Sequence, residues 1–225
     1  MRTLKELCMP VPHVIVFASS KGGVGKTTLV RALASHWQNV GQKPAIIDAD
    51  PEEGLFENHD PDGPMGKIPV LADPEVTVGN LIEELRAKHR PILVDTGGFG
   101  NQTNVAAIAS SDVVIIPLKP SKDDVRRARR TMDLVEEINE TDERAGKPVM
   151  VRMLLTMTQK NTVVARHVRQ QLEDNGFPLM KAELASRVVY LEAGLEGLSP
   201  VVIEPKGAAT KDIAKIAVEL SKIRK

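Results

Sequence analysis

The sequence predicts an α/β fold in which one doubly wound, mostly parallel sheet is flanked by helices in three layers. Three observations predict it. Short apolar runs suited to strands buried on both faces recur along the chain, at Val14 to Ala18, Ala45 to Ile47, Ile92 to Val94 and Val113 to Ile116. Between them lie stretches whose apolar residues keep helical spacing. The first run also leads straight into a glycine-rich segment and then a helical pattern, the order strand, loop, helix. At 225 residues the chain is long enough for one sizeable core and short for two, so a single domain over 13–225 is expected, with Met1 to Pro12 as a short leader.

The loop is Lys21-Gly22-Gly23-Val24-Gly25-Lys26-Thr27-Thr28. Its glycines let backbone N–H groups turn inward, and the helix that starts near Gly25 adds the positive end of its dipole, so the concavity suits a phosphate chain. Lys26 is then in reach of the β- and γ-phosphates, the Thr27 hydroxyl is placed for Mg²⁺, and Thr28 lies near the α-phosphate. Ser20 stands where the strict pattern has its first glycine. Lys21, at the loop entrance, is badly placed to fold back onto its own nucleotide; it is either a solvated loop residue or a contact across a dimer interface.

The next run ends in Asp48-Ala49-Asp50-Pro51. Asp before proline starts turns, but two carboxylates beside a phosphate loop need a metal or a water between them and the ligand. Glu53 to Pro74 is rich in Pro, Gly and Asp and reads as an irregular excursion, with one short apolar run from Ile68 to Leu71. Thr77 to Lys88 follows as an amphipathic helix. Ile92-Leu93-Val94-Asp95-Thr96-Gly97-Gly98 is a strand ending in an aspartate placed to hold a water of Mg²⁺ opposite Thr27. The glycines after it let a backbone N–H, that of Gly97 first, approach the γ-phosphate.

A short helix over Val105 to Ser110 and a strand over Asp112 to Pro117 come next. A long helix from Asp123 to Asn139 carries Arg126, Arg127, Arg129 and Arg130, whose charge is largely answered by Asp133, Glu136 and Glu137. Lys147 to Thr156 supplies a strand, Thr162 to Asn175 a helix with Val163, Val164, Val168 and Leu172 inward, and Pro178 to Leu184 a final strand. Ala208 to Ile223 closes the chain as an amphipathic helix. Its outer face carries Lys211, Lys215 and Lys222, followed by Arg224 and Lys225, and reads either as a solvated face or as a patch that grips phosphates of non-specific duplex DNA.

KGGVGKTT resembles the deviant Walker A motif of the ParA/MinD family of P-loop ATPases, and ILVDTGG followed by DVVIIPLKPS strengthens the likeness. The resemblance covers nearly the whole chain from Val14 onward and lies nearest the short ParA type. It implies a P-loop NTPase fold, ATP and Mg²⁺ as ligands, and a homodimer on ATP binding in which Lys21 crosses to the partner's nucleotide. It further implies that Asp50 activates the attacking water, that Asp48 supports Mg²⁺ and its waters, and that Leu118 to Lys122 adds to the dimer face. Thr156 and its neighbours would line the adenine, with Arg187 at the base loop. By the same resemblance the activity is a weak, partner-stimulated ATPase that positions DNA or another cargo with a ParB-like or small DNA-binding adaptor. The family usually continues Asp-Pro-Gln, whereas Glu52 follows Pro51 here.

Composition narrows the alternatives. Thirty basic and thirty acidic side chains cancel, so nucleic acid or acidic lipid must be met by a local patch. The single cysteine, Cys8, rules out an internal disulfide and argues against the related nitrogenase iron-protein class, whose cluster needs more. No run approaches the ~18 residues needed to span a bilayer, so a cytoplasmic protein is expected, and the resemblance implies association with the nucleoid. A MinD-like membrane anchor is disfavoured because the tail has no Phe or Trp to insert, and no stable membrane association is expected. A small-molecule ATP-dependent enzyme on the same fold would need a further cluster of catalytic side chains, which the sequence does not offer.

Overall fold

A computed structural model describes residues 11–98, 100–159 and 162–223. Seven strands form one sheet in the order β3-β2-β4-β1-β5-β6-β7. They are β1 (Val14–Phe17), β2 (Ala45–Ala49), β3 (Val70–Ala72), β4 (Ile92–Thr96), β5 (Val113–Leu118), β6 (Met150–Thr158) and β7 (Leu184–Ala185). Every named pair is parallel, which sharpens the expectation of a mostly parallel sheet.

Alternation along the strands sends successive side chains to opposite faces, and each face meets helices. Ile15, Phe17, Ile46, Leu93 and Ile115 pack with α1 (Lys26–Asn39), α8 (Pro200–Ile203) and α9 (Ala208–Leu220). Val14, Val16, Ile47, Val94, Val114 and Ile116 pack with α3 (Val78–Arg86), α4 (Gln102–Ala109), α5 (Lys122–Asn139) and α6 (Val163–Asp174). Both faces are therefore dry, which is why the strands read as unbroken apolar runs. Since β2 and β3 lie on one side of β1 and β5 to β7 on the other, the loop after β1 opens where the winding reverses. In such sheets the ligand crevice lies there, outside the carboxyl ends of the strands.

Three expectations need correction. The last strand is confined to Leu184–Ala185 instead of running from Pro178 to Leu184. Leu179 makes one isolated parallel bridge to Met153 of β6, and beyond it the N–H groups of Lys181 and Ala182 go to the Glu219 carboxylate of α9, both at 2.8 Å, which interrupts the ladder before Leu184. Val163 and Val164 are exposed (71% and 59%), and burial on α6 begins one turn later, at Val168 and Leu172. The excursion after β2 holds a short helix, α2 (Gly54–Glu57), as well as the edge strand β3. A further helix, α7 (Val189–Leu195), lies in the stretch between β7 and α9 that the spacing left unassigned.

Candidate active site

The glycine-rich loop has the expected build. Gly23 and Gly25 have φ of 67° and 90°, a region L side chains rarely adopt, and Gly25 is the N-cap of α1. Gly22 and Gly23 are exposed, and a Cβ on either would meet nothing, so the mouth of the loop is open to a ligand. Val24 is buried as the anchor, while Lys26, Thr27 and Thr28 are half-buried at the start of α1.

Parallel pairing sets Asp48 and Asp95 side by side at the ends of β2 and β4. Their roles differ because their hydrogen bonds differ. Asp48 is committed to the backbone: Oδ2 accepts the N–H groups of Leu55 and Phe56, each at 2.9 Å, and Oδ1 accepts that of Asp50 at 3.2 Å. Burial pushes its pKa up, against those N–H donors. Asp95 Oδ2 accepts a 2.6 Å hydrogen bond from Thr27 Oγ1, while its Oδ1 is buried with no partner. Burial pushes Asp95 up to about 7, opposed by Thr27 and Lys26.

A buried carboxylate with one idle oxygen, next to a threonine hydroxyl and a phosphate loop, is a donor set that fits Mg²⁺ on a nucleotide. No group of three His, Cys, Asp or Glu side chains among the described residues could hold a metal by itself, so phosphate oxygens and waters would supply the remaining ligands. Asp50 is half-buried beside Gly97. A Cβ on Gly97 would lie 2.8 Å from Asp50 Oδ1 and 2.9 Å from Pro51 Cδ, so only glycine permits this approach. The loops after β2 and β4 thus touch one another.

Lys21 is turned away from its own loop. Its Nζ lies 2.5 Å from Asp124 Oδ1 in the first turn of α5. Asp124 is buried, and also takes the Ser121 hydroxyl at 2.8 Å and the Lys119 N–H at 3.0 Å. Burial alone would raise its pKa, but these three donors hold it below the usual carboxylate range. The Lys21 side chain keeps 35% exposure.

Sequence reasoning missed Asp124, hidden among the charges of a helix read as solvated. It also missed Arg31, one turn after Thr27, whose buried Nη2 is 3.5 Å from the carbonyls of Gly54 and Leu55. Burial lowers the Arg31 pKa, while Asp95 and Asp48 raise it, so it is a cation facing both carboxylates from inside the fold. A charge inside the apolar stretch Leu29 to Ala34 was the available signal.

Thr156, near the end of β6, is buried and its Oγ1 has no partner. Arg187 is spoken for: Nε and Nη2 donate to Asp212 Oδ2 of α9 at 3.0 and 2.6 Å. Both acids of α9, Asp212 and Glu219, are therefore engaged inward. No ion pair reaches Lys211, Lys215 or Lys222 among the described residues, and Lys211 and Lys215 join Lys206, His36, Asn39 and Thr210 around a groove of about 730 Å³ between α1 and α9. Arg224 and Lys225 lie outside the described residues. On α5, by contrast, Arg126 and Arg127 pair with Asp123, and Arg129 with Asp133.

Comparison with known proteins agrees with this geometry. Residues 15–201 match the CobQ/CobB/MinD/ParA nucleotide binding domain. The chain belongs to this family. Protein ParA of Rhizobium radiobacter is 25% identical over 79% of this chain and 80% of its own length. The maintenance of carboxysome distribution protein A of Gloeobacter kilaueensis is 29% identical over 94% of this chain and 95% of its own. The cell division ATPase MinD of Pyrococcus furiosus shares the fold, with a TM-score of 0.73 at 18% identity over 94% of this chain and 99% of that one. No helix of this family member, among the described residues, is long and apolar enough to cross a membrane.

Proposed function

We propose that this chain is an ATPase of partition type that pairs on ATP, holds non-specific duplex DNA while paired, and positions a DNA or other cargo through an adaptor protein. One observation carries the reading. Thr27 is bonded to Asp95 and Gly97 lies against Asp50 beside the Lys26 loop, while the other loop lysine, Lys21, is held 2.5 Å from Asp124 and is 35% exposed. In a pair, Lys21 of the second copy would add a cation to the phosphates from across the interface. Magnesium, when bound, would offset charge on the β- and γ-phosphates. Asp50 orients the water for in-line attack, Lys26 neutralises developing charge, and the Gly97 N–H faces the transferred group. Thr156 offers its hydroxyl to the base, with Arg187 holding the base loop to α9.

Pairing requires Lys21 to leave Asp124. In Asp124→Asn the amide keeps an oxygen for the Lys119 N–H but gives up about 1 kcal/mol of attraction to Lys21, so pairing with ATP should tighten roughly three- to tenfold. Sizing on a dilution series with ATP measures this; an unchanged or weaker midpoint would count against the release step.

The DNA reading rests on Lys211, Lys215 and Lys222, with Arg224 and Lys225 beyond the described residues. Their face has no carboxylate of its own to answer it, and two tethered copies gain avidity. DNA retention is expected with a non-hydrolysable ATP analogue and not with ADP. Exchanging Lys211 and Lys215 for glutamate should cut it at least tenfold and lower the log–log salt slope by about 2 per chain. Equal retention with both nucleotides would overturn the switch. The likeness to carboxysome distribution proteins leaves the cargo open to bodies other than a replicon.

A further inference from the structure

The loop after β4 is tied down by a residue the reading above does not use. Asn104, in the first turn of α4, is 3% exposed. Its backbone N–H donates to the N-cap side chain of Asn101 at 2.7 Å, and its Nδ2 donates to the Gly98 carbonyl at 2.5 Å. The neighbouring Thr103 hydroxyl anchors the same turn to the Pro74 carbonyl at 2.7 Å. Among the described residues no other side chain donates to the Gly97–Gly98 segment. The Asn104 Oδ1 is buried with no partner.

Two glycines in succession have little stiffness of their own, so an external tie must decide where they sit. Gly98 is held by its carbonyl from the α4 side, and Gly97 is pressed against Asp50 on the other. We propose that Asn104 is a positioning residue for hydrolysis: through the Gly98 carbonyl it holds the Gly97–Gly98 segment against Asp50, where the γ-phosphate would lie. A buried amide oxygen without a partner costs about 1 to 3 kcal/mol, a cost an apolar side chain would avoid, so packing alone does not account for asparagine here. The inference rests on the ATPase reading.

Asn104→Asp separates positioning from folding. The carboxylate has nearly the same shape, and a negative charge in the first turn suits the N-terminus of α4. Yet it sets an acceptor against the Gly98 carbonyl. With wild type as control, the turnover number should fall roughly ten- to hundredfold near pH 8, as for loss of one aligned contact in the transition state, with ATP affinity within about twofold. Acidification should restore activity, because a protonated carboxyl regains a donor for Gly98; burial raises its pKa, so the deficit should shrink roughly three- to tenfold by pH 6. Asn104→Ser, whose hydroxyl falls short of Gly98, should show the same loss with no recovery in acid.

A hydrolysing wild type matched by both variants would overturn the inference alone. So would turnover, ATP affinity and melting temperature falling together at every pH, which marks a purely structural residue. If wild type bound ATP at pairing concentrations and never hydrolysed it, the ATPase reading and this inference would fall together.

Discussion

Lys21→Ala is expected to lower ATP turnover by roughly 10³-fold or more, the range seen when a cation supplied in trans is removed from a phosphoryl-transfer site. Nucleotide affinity of the dilute, unpaired chain should hardly change. Both halves of the prediction follow from one contact. In the single chain the Lys21 ammonium sits on Asp124, not on its own phosphate loop, so its loss removes nothing from ground-state binding of ATP. On the proposed pairing, its contribution would be to the transition state of the neighbouring copy. Turnover per chain should rise with protein concentration in wild type and stay flat in the variant. A variant that turns over like wild type, or a wild type indifferent to dilution, would leave a solitary nucleotidase and end the pairing argument.

Asp50→Ala should be nearly as damaging, by a different route. Losing a positioned general base typically costs about 10² to 10⁴ in rate, and here no second carboxylate can replace it. Asp48 is tied to three backbone N–H groups, and Asp95 is bonded to Thr27. ATP binding and pairing do not need the water to be activated, so this variant should accumulate as an ATP-loaded pair that sizing and retained nucleotide both detect. Asp50→Asn, which keeps the contact with Gly97, is the control for packing: it should be equally slow and equally paired. Hydrolysis near the wild-type rate in either variant would take Asp50 out of the chemistry and leave the water to another group.

Much of the fold could be read from the chain because a strand covered on both faces must be apolar along its whole length. Val14 to Phe17, Ile46 to Ile47, Ile92 to Val94 and Val113 to Ile116 announce themselves this way. The candidate site residues at the ends of these runs, Asp48, Asp50 and Asp95, stand out for the same reason: a carboxylate closing such a run falls at the carboxyl edge of the sheet. Edge elements were not legible. At β7 the ladder is interrupted by Glu219, remote in sequence, which takes the N–H groups of two successive residues between the Leu179 bridge and Leu184. On α6 the helical spacing of Val164 and Val168 is the same whether or not a neighbour covers the first turn.

By itself, the sequence determined that a phosphate loop follows a buried strand, that two more such strands end in acids, and that the whole winds into a parallel sheet. Those are local facts, set by apolar runs, glycines and the period of each element. Only the tertiary structure decided which oxygen of Asp95 is idle, that Asp48 serves the backbone, that Lys21 rests on Asp124 and that Asn104 holds Gly98. Each of these joins two different elements, and a hydrogen bond is made or lost within a few tenths of an ångström, which residue spacing along one chain does not specify.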